Sequence, residues 1–253
     1  MAETYLHAMG LHGDWGATVA ALENAPLMSI ELPSHNAHIS AYEDPSGWRV
    51  GLIDIADRYS TETFAVLGAG GHTVDVWQVL PGIAHVDLLD ADGELFTRFL
   101  AFVDDPHMYP WYALENVGEP VRVEDYQLGA IAVDLKVYDS VDEWEHNTEP
   151  LTEDGLRMGP SSIVSPWLFA LYSGEAEPAD VSPVAMFTSV IKEVEVVTNA
   201  LTGLPWQRAV ADCGFECALA FPADHKLHPG NVVDGKAFIT GSTSFWSSDP
   251  SER

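Results

Sequence analysis

Short runs in which apolar and polar residues alternate cover most of the chain from residue 48 onward, and they predict β-strands. The runs lie at residues 48–55, 63–67, 73–80, 84–89, 94–103, 126–138, 184–197, 206–211, 215–221 and 231–246. In the run 215–221 the residues Phe215, Cys217, Leu219 and Phe221 occupy every second position, which places them on one face of a strand. The pattern therefore predicts a fold that is mostly β, in the α+β class.

Helical signals are few. Asp14 is suited to cap a short helix that begins at Trp15, and the sequence Asn24-Ala-Pro26 is suited to end it. The acid-rich residues 139–154 are compatible with either an acidic helix or a connector. Pro106, after Asp104 and Asp105, indicates a turn, and the sequence offers these two acids no partner.

A change in composition near residue 172 suggests two domains. Residues 172–183 (YSGEAEPADVSP) combine Gly and Pro with acids and are typical of a linker. We therefore expect an acidic, β-rich domain over 1–171 with a short N-terminal helix, and a small barrel over 184–246. A disordered tail is expected over 247–253. The sequence shows no internal repeat at a fixed period.

The charge of the chain is strongly negative. It holds 39 Asp and Glu against 11 Lys and Arg, a formal net charge of −28. Residues 184–253 contain only eight of these acids and five of the bases, so the excess lies in the first part. Such a surface repels nucleic acid and anionic membranes and attracts cations and basic proteins. General solubility, or adaptation to high salt, explains the same charge without a partner.

The sequence predicts a cytoplasmic protein. The first residues have neither a basic nor an apolar signal region. The longest apolar stretch, residues 163–172, is far shorter than the roughly 20 residues that span a bilayer. With two cysteines, the chain has no disulfide framework.

Residues 184–246 resemble an OB-type small β-barrel. The resemblance rests on the long first strand, the turn at 199–205, and the segment PGNVVDGKAFITG at 229–241. The chain as a whole resembles bacterial β-rich proteins of unassigned function. OB barrels often bind single-stranded nucleic acid through aromatic residues on a basic groove. The resemblance implies four candidate binding residues, which are Trp206, Arg208, Phe238 and Trp246. Core packing also explains the three aromatic ones. Because this region has few bases, nucleic-acid binding is not expected.

Two cysteines and two histidines form a candidate metal site. Cys213, Cys217, His225 and His228 carry the ligand types of tetrahedral zinc, although their spacing differs from that of zinc fingers. Alternatively, Cys217 is a core residue of its strand. If one strand held both cysteines, they would lie roughly 13 Å apart and could not form a disulfide.

Other candidate chemistry is weaker. Residues 90–94 (DADGE) partly match a calcium loop, but a turn between strands explains them better. The first third of the chain is rich in histidine, at His7, His12, His35, His38 and His72. The sequence therefore predicts a non-catalytic binding protein whose acidic surface masks a basic partner. The alternative is a metal-assisted enzyme that uses the histidines or the Cys/His group. No cofactor is expected, and the candidates for a bound ion are zinc and calcium.

Overall fold

A computed structural model describes residues 4–33, 36–55, 59–68, 70–112, 117–149 and 158–247. It confirms that the fold is mostly β. The strands are β1 Met28–Leu32, β2 Ala37–Asp44, β3 Trp48–Ile55, β4 Tyr59–Val66, β5 His72–Leu80, β6 Ile83–Leu89, β7 Leu95–Val103, β8 Val121–Tyr138, β9 Ser162–Val164, β10 Val184–Thr198, β11 Pro205–Asp212, β12 Glu216–Pro222 and β13 Val232–Ser242. The helices are α1 Thr4–His7, α2 Trp15–Leu22, α3 Val141–Asn147 and α4 Pro166–Ser173.

The helix predicted after Asp14 is confirmed. Asp14 accepts a hydrogen bond from the Gly16 amide over 3.0 Å and caps the start of α2. In the acid-rich segment, residues 141–147 form α3, with Ser140 as its N-cap. Within the described part of the chain, no helix has the length and apolar character that crossing a membrane requires.

The strands form two sheets. Strands β1 to β4 follow one another in an antiparallel four-stranded sheet. The other sheet has nine strands in the order β11-β12-β8-β5-β6-β7-β13-β10-β9. The two sheets are joined at Val66, at the end of β4, whose amide donates to Thr240 Oγ1 of β13 over 3.1 Å.

Two sets of strands in the large sheet have equivalent pairings. In the sets β5–β8 and β10–β13, the first three strands are antiparallel neighbours, and the fourth pairs antiparallel with the first. The fourth strand of each set also pairs in parallel with the third strand of the other set, β8 with β12 and β13 with β7. The two fourth strands, β8 and β13, pair with each other. The pairings thus close two five-stranded rings that share β8 and β13.

The same equivalence is visible in the sequence once the pairings are known. The third strand of each set ends on a similar segment, LAFVDD at 100–105 and LAFPAD at 219–224. The connection to the fourth strand spans residues 104–120 in one set and 223–231 in the other. Because these connections differ in length, the repeat has no fixed period and escapes a periodicity search.

The predicted boundary at 172–183 does not divide the molecule into separate sheets. Strand β13 pairs with β7 and β8, which lie before the boundary, as well as with β10 after it. One apolar core also contains residues from both sides, among them Trp48, Phe99, Phe187 and Phe221. Within 172–183, α4 ends at Gly174 and a short 3-10 turn follows at Pro178–Asp180. Of the predicted tail, Ser247 ends a 3-10 turn, and residues 248–253 lie outside the described part.

Candidate functional site

An open groove lies on β10, β11 and β12, beside the end of β4. Its volume is about 340 Å³. The lining combines small or apolar residues with three charged ones: Leu67, Gly68, Glu193, Val194, Glu195, Arg208, Ala209, Val210 and Ala218. The groove therefore offers apolar walls beneath a charged rim.

Arg208 is fixed in this rim by its neighbours. Its Nε and Nη2 donate to Glu195 Oε1 over 2.9 and 2.5 Å, and Nη1 donates to the Ser46 carbonyl over 3.3 Å. A Cβ at Gly47 would lie 2.4 Å from Arg208 Nη1, and Gly47 has φ of +102°, so glycine is needed there. Because Glu195 neutralises Arg208, the exposed Glu193 gives the rim an excess of negative charge.

Of the four predicted binding residues, Arg208 lines the groove and the three aromatic residues pack elsewhere. Trp206 is fully buried, and its Nε1 donates to Ser46 Oγ over 3.0 Å. Trp246 is also buried, and its Nε1 donates to the Asp104 carbonyl over 2.9 Å. Phe238 is half-buried and makes an edge contact with the Tyr5 ring, with centroids 5.1 Å apart. These aromatic side chains stabilise the fold.

The four predicted zinc ligands do not converge. Cys213 and Cys217 are buried, with their Sγ atoms 3.8 Å apart, while His225 makes an edge contact with the Phe221 ring. The described residues include no group of three or more His, Cys, Asp or Glu able to hold a metal ion. The condition for a separation of 13 Å is not met, because Cys213 lies in the turn between β11 and β12 and the two residues do not share one strand.

The acidic and histidine-rich segments have structural contacts. Asp90 Oδ1 accepts from the amides of Asp92 and Glu94 over 2.9 and 3.0 Å, which confirms a turn between β6 and β7. His38 Nδ1 lies 2.8 Å from Glu31 Oε1, and His72 Nε2 lies 2.6 Å from the Glu216 carbonyl. The predicted His35 lies outside the described residues.

A buried acid cluster joins the two sheets, and the sequence does not reveal it. Arg49 lies on β3, and Asp104 and Asp105 directly follow β7; all three are fully buried. Arg49 Nη1 donates to Asp104 Oδ2. Its Nη2 and Nε donate to Glu43 Oε2 over 2.5 and 3.2 Å. One guanidinium thus pairs with the fully buried carboxyl group of Asp104 and with that of Glu43, which is partly exposed.

The two buried carboxyl groups have different surroundings. Asp105 Oδ1 accepts from the Tyr109 hydroxyl over 2.6 Å, and Oδ2 accepts from the Thr243 amide over 2.9 Å and from the Thr243 hydroxyl. Asp104 Oδ1 has no hydrogen-bond partner among the described residues. Donors therefore stabilise a charge on Asp105 better than on Asp104.

Burial raises the pKa of Asp104 to about 6, and the adjacent Asp105 raises it as well, while Arg49 opposes the change. Burial also raises the pKa of Asp105. Nearby, burial lowers the pKa of His107 to about 4, and neither ring nitrogen of His107 has a hydrogen-bond partner among the described residues. The cluster can bind a proton, but its buried groups offer no exposed atom to a substrate.

We expect the change Asp104→Asn to alter how stability depends on pH. The folded protein holds the Asp104 proton up to about pH 6, whereas the unfolded chain releases it near pH 4. Titration of Asp104 therefore lowers the free energy of unfolding as pH rises from 4 to 6, and the penalty is complete above pH 6. Titration of His107 has the opposite effect. Because folding lowers the pKa of His107, its titration raises the free energy of unfolding as pH rises.

Relative to the unchanged protein, Asp104→Asn should thus gain on the order of 2 kcal/mol in unfolding free energy between pH 4 and pH 7. Urea unfolding at several pH values measures this difference. Asn147→Ala, at an exposed residue of α3 whose side chain does not titrate, is the control and should give a constant difference. If the difference in unfolding free energy between Asp104→Asn and the unchanged protein also did not vary with pH, the raised pKa assigned to Asp104 would be wrong.

A second polar network fastens α4 to the large sheet. His85 is buried on β6, stacked on Trp77 with ring centroids 3.9 Å apart. Its Nε2 lies 2.7 Å from Asp87 Oδ1, and its Nδ1 lies 2.8 Å from the hydroxyl of Tyr172. Burial lowers the pKa of His85, so the neutral ring donates to Asp87 and accepts from Tyr172.

No protein-family model matches this chain, and no curated protein or solved structure matches it. The sites that the structure offers are the groove, the buried acid cluster and the network around His85. Of them, the groove combines open access with charged and apolar surfaces, as binding requires.

Proposed function

We propose that the protein binds a basic partner and receives a lysine or arginine side chain of that partner in the groove on β10–β12. The observation that carries the proposal is the lining of the groove. The apolar side chains of Val210 and Ala218 suit the aliphatic stem of such a side chain. The rim carboxylate of Glu193, which Arg208 does not neutralise, suits its charged end, and Glu195 lies beside it.

The charge distribution supports the same partner. Five of the basic residues in the described part lie within ion-pair distance of the protein's own carboxylates: Arg49, Arg98, Arg122, Lys192 and Arg208. With 39 Asp and Glu against 11 Lys and Arg in the chain, carboxylates greatly outnumber the cations that could pair with them. A negative surface of this kind speeds the encounter with a basic protein and disfavours nucleic acid.

The proposed binding unit is an OB-like barrel of β8 and β10–β13, acting in the cytoplasm. In support, these strands pair in a closed ring of five, the strand number of an OB barrel. OB barrels commonly bind their ligands across the second and third strands. Here β11 and β12 hold that place in the ring, and they carry Arg208, Val210 and Ala218 of the groove.

Binding of a fluorescein-labelled hexalysine peptide, followed by fluorescence anisotropy at low salt, tests the proposal. We expect the double change Glu193→Gln and Glu195→Gln to weaken binding about tenfold or more. It removes two carboxylates from the rim and leaves the positive charge of Arg208 unopposed. The matched control is Asp142→Asn with Glu149→Gln, two exposed acids in and beside α3 that change the net charge equally.

The control pair should weaken binding about twofold at most, because it alters only the general field. Equal weakening by both pairs would show that the charge of the whole surface, and not the groove, holds the peptide. Undiminished binding in about 1 M salt would contradict the electrostatic basis of the proposal.

A further inference from the structure

The only two cysteines of the chain lie against each other in the β11–β12 hairpin. Their Sγ atoms are 3.8 Å apart, which is van der Waals contact and not a bond. Cys213 occupies the turn after β11, and Cys217 is the second residue of β12. Both side chains are buried, and each is a free thiol.

The hairpin holds the two thiols in this position. Asp212 and Glu216, which precede the two cysteines, form the last pair of the β11–β12 ladder. Lys192 of β10 lies 3.2 Å from Asp212 Oδ2 and 3.0 Å from Glu216 Oε1, so it ties the two ends of the turn together. Within the turn, the exposed Gly214 has φ of +96° and permits local adjustment of the backbone.

We propose that Cys213 and Cys217 are a redox site that forms a reversible intramolecular disulfide with a small-molecule disulfide as oxidant. The bond requires the sulfur atoms to approach from 3.8 Å to about 2.05 Å, a movement within reach of side-chain rotation and a small shift of the turn. The proposal is independent of what the groove binds.

The reaction proceeds by two thiol–disulfide exchanges. The Cys213 thiolate attacks one sulfur of the oxidant, forms a mixed disulfide and releases one thiolate of the oxidant. The Cys217 thiolate then attacks the Cys213 sulfur and displaces the second thiolate. The two cysteines lose two electrons and two protons, and the oxidant disulfide is reduced to two thiols.

The surroundings favour Cys213 as the first nucleophile. The hydrogen bond with Cys213, together with burial, raises the pKa of Cys217 well above its ordinary value. Cys213 is next to the exposed Gly214 at the tip of the hairpin, where local opening admits the oxidant.

The test equilibrates the native full-length protein with reduced and oxidised glutathione, quenches with iodoacetamide and determines the mass. We expect oxidised protein that is two hydrogens lighter, monomeric and without bound glutathione, and that dithiothreitol restores. In the variant Cys217→Ser, which cannot complete the second exchange, Cys213 should instead retain glutathione. The variant Cys213→Ala with Cys217→Ala serves as the unreactive control.

The same buffers with urea-unfolded protein show whether the fold promotes the bond. We expect that reducing half of the disulfide takes a roughly tenfold higher concentration of reduced glutathione in the native protein than in the unfolded protein. The reason is that the hairpin already brings the two sulfur atoms together. The proposal is overturned if both native thiols stay free where the unfolded pair is oxidised. It is equally overturned if oxidation yields only dimers or glutathione adducts.

Discussion

Replacing Arg49 with Leu should destabilise the protein by about 3–5 kcal/mol at pH 7. Arg49 is fully buried and donates to Asp104 and Glu43. Its removal leaves Asp104 and Asp105 as buried carboxyl groups without the cation that balances them. A buried ionised carboxylate without a partner is costly, so the folded state must either bear that cost or take up protons.

Urea or thermal unfolding of Arg49→Leu measures the loss, with Arg122→Leu as the matched control. Arg122 also binds a carboxylate, Asp75, but its side chain is more than half exposed, so its loss should cost much less than the loss of Arg49. The loss at Arg49 should shrink as pH falls from 7 to 5, because protonation of Asp104 and Asp105 removes the unbalanced charge. A loss below about 1 kcal/mol, or one independent of pH, would contradict this account of the cluster.

Most local elements of this fold can be predicted from sequence because they depend on neighbouring residues, although the strands β1, β2 and β9 are not among the predicted ones. The β3 strand Trp48–Ile55 and the helix Trp15–Leu22 occupy the residues that alternation and the Asp14 cap indicate. The other predicted strands differ from the observed ones mainly at their ends, where a turn residue rather than an apolar pattern decides the boundary.

The arrangement of the strands could not be predicted in this way. The composition does change at 172–183. However, β13 pairs with β8 across this segment, and the paired residues run from Val232 with Tyr138 to Ser242 with Gln127. Such pairing joins segments about a hundred residues apart and leaves no signal in either segment alone. The sequence pattern therefore indicates the strands of a small barrel but not that β8 and β13 connect it to the first half.

The candidate sites also divide into those that the sequence indicates and those that depend on residues distant in sequence. Arg208 is a sequence candidate because the OB resemblance implies binding residues in this region, and it lies at the groove. The segment Asp104-Asp105-Pro106 was predicted as an isolated turn. Its partners are distant in sequence: Arg49 is 55 residues from Asp104, and Thr243 is 138 residues from Asp105. Two adjacent acids directly after an apolar strand could have signalled burial, but only the fold supplies the balancing cation.

Asp44→Ala should cost about 3 kcal/mol of unfolding free energy, because Asp44 satisfies several buried donors at once. It is 1 % exposed and accepts from the Ser46 amide over 2.9 Å, the Ala200 amide over 2.9 Å and the Tyr42 hydroxyl over 3.0 Å. Ser46 lies in the β2–β3 turn and Ala200 in the β10–β11 turn, so this carboxylate joins the small sheet to the large one.

Urea unfolding of Asp44→Ala, Asp44→Asn and the exposed control Asp54→Ala tests this role. Asp54→Ala should stay within about 0.5 kcal/mol of the unchanged protein, since it lies on the surface of β3. Asp44→Asn should fall between the two, because its amide keeps one acceptor oxygen but turns a donor toward the Ala200 or Ser46 amide. If Asp44→Ala and Asp54→Ala cost the same, the donors around Asp44 find other acceptors and the two sheets are held together mainly by apolar packing.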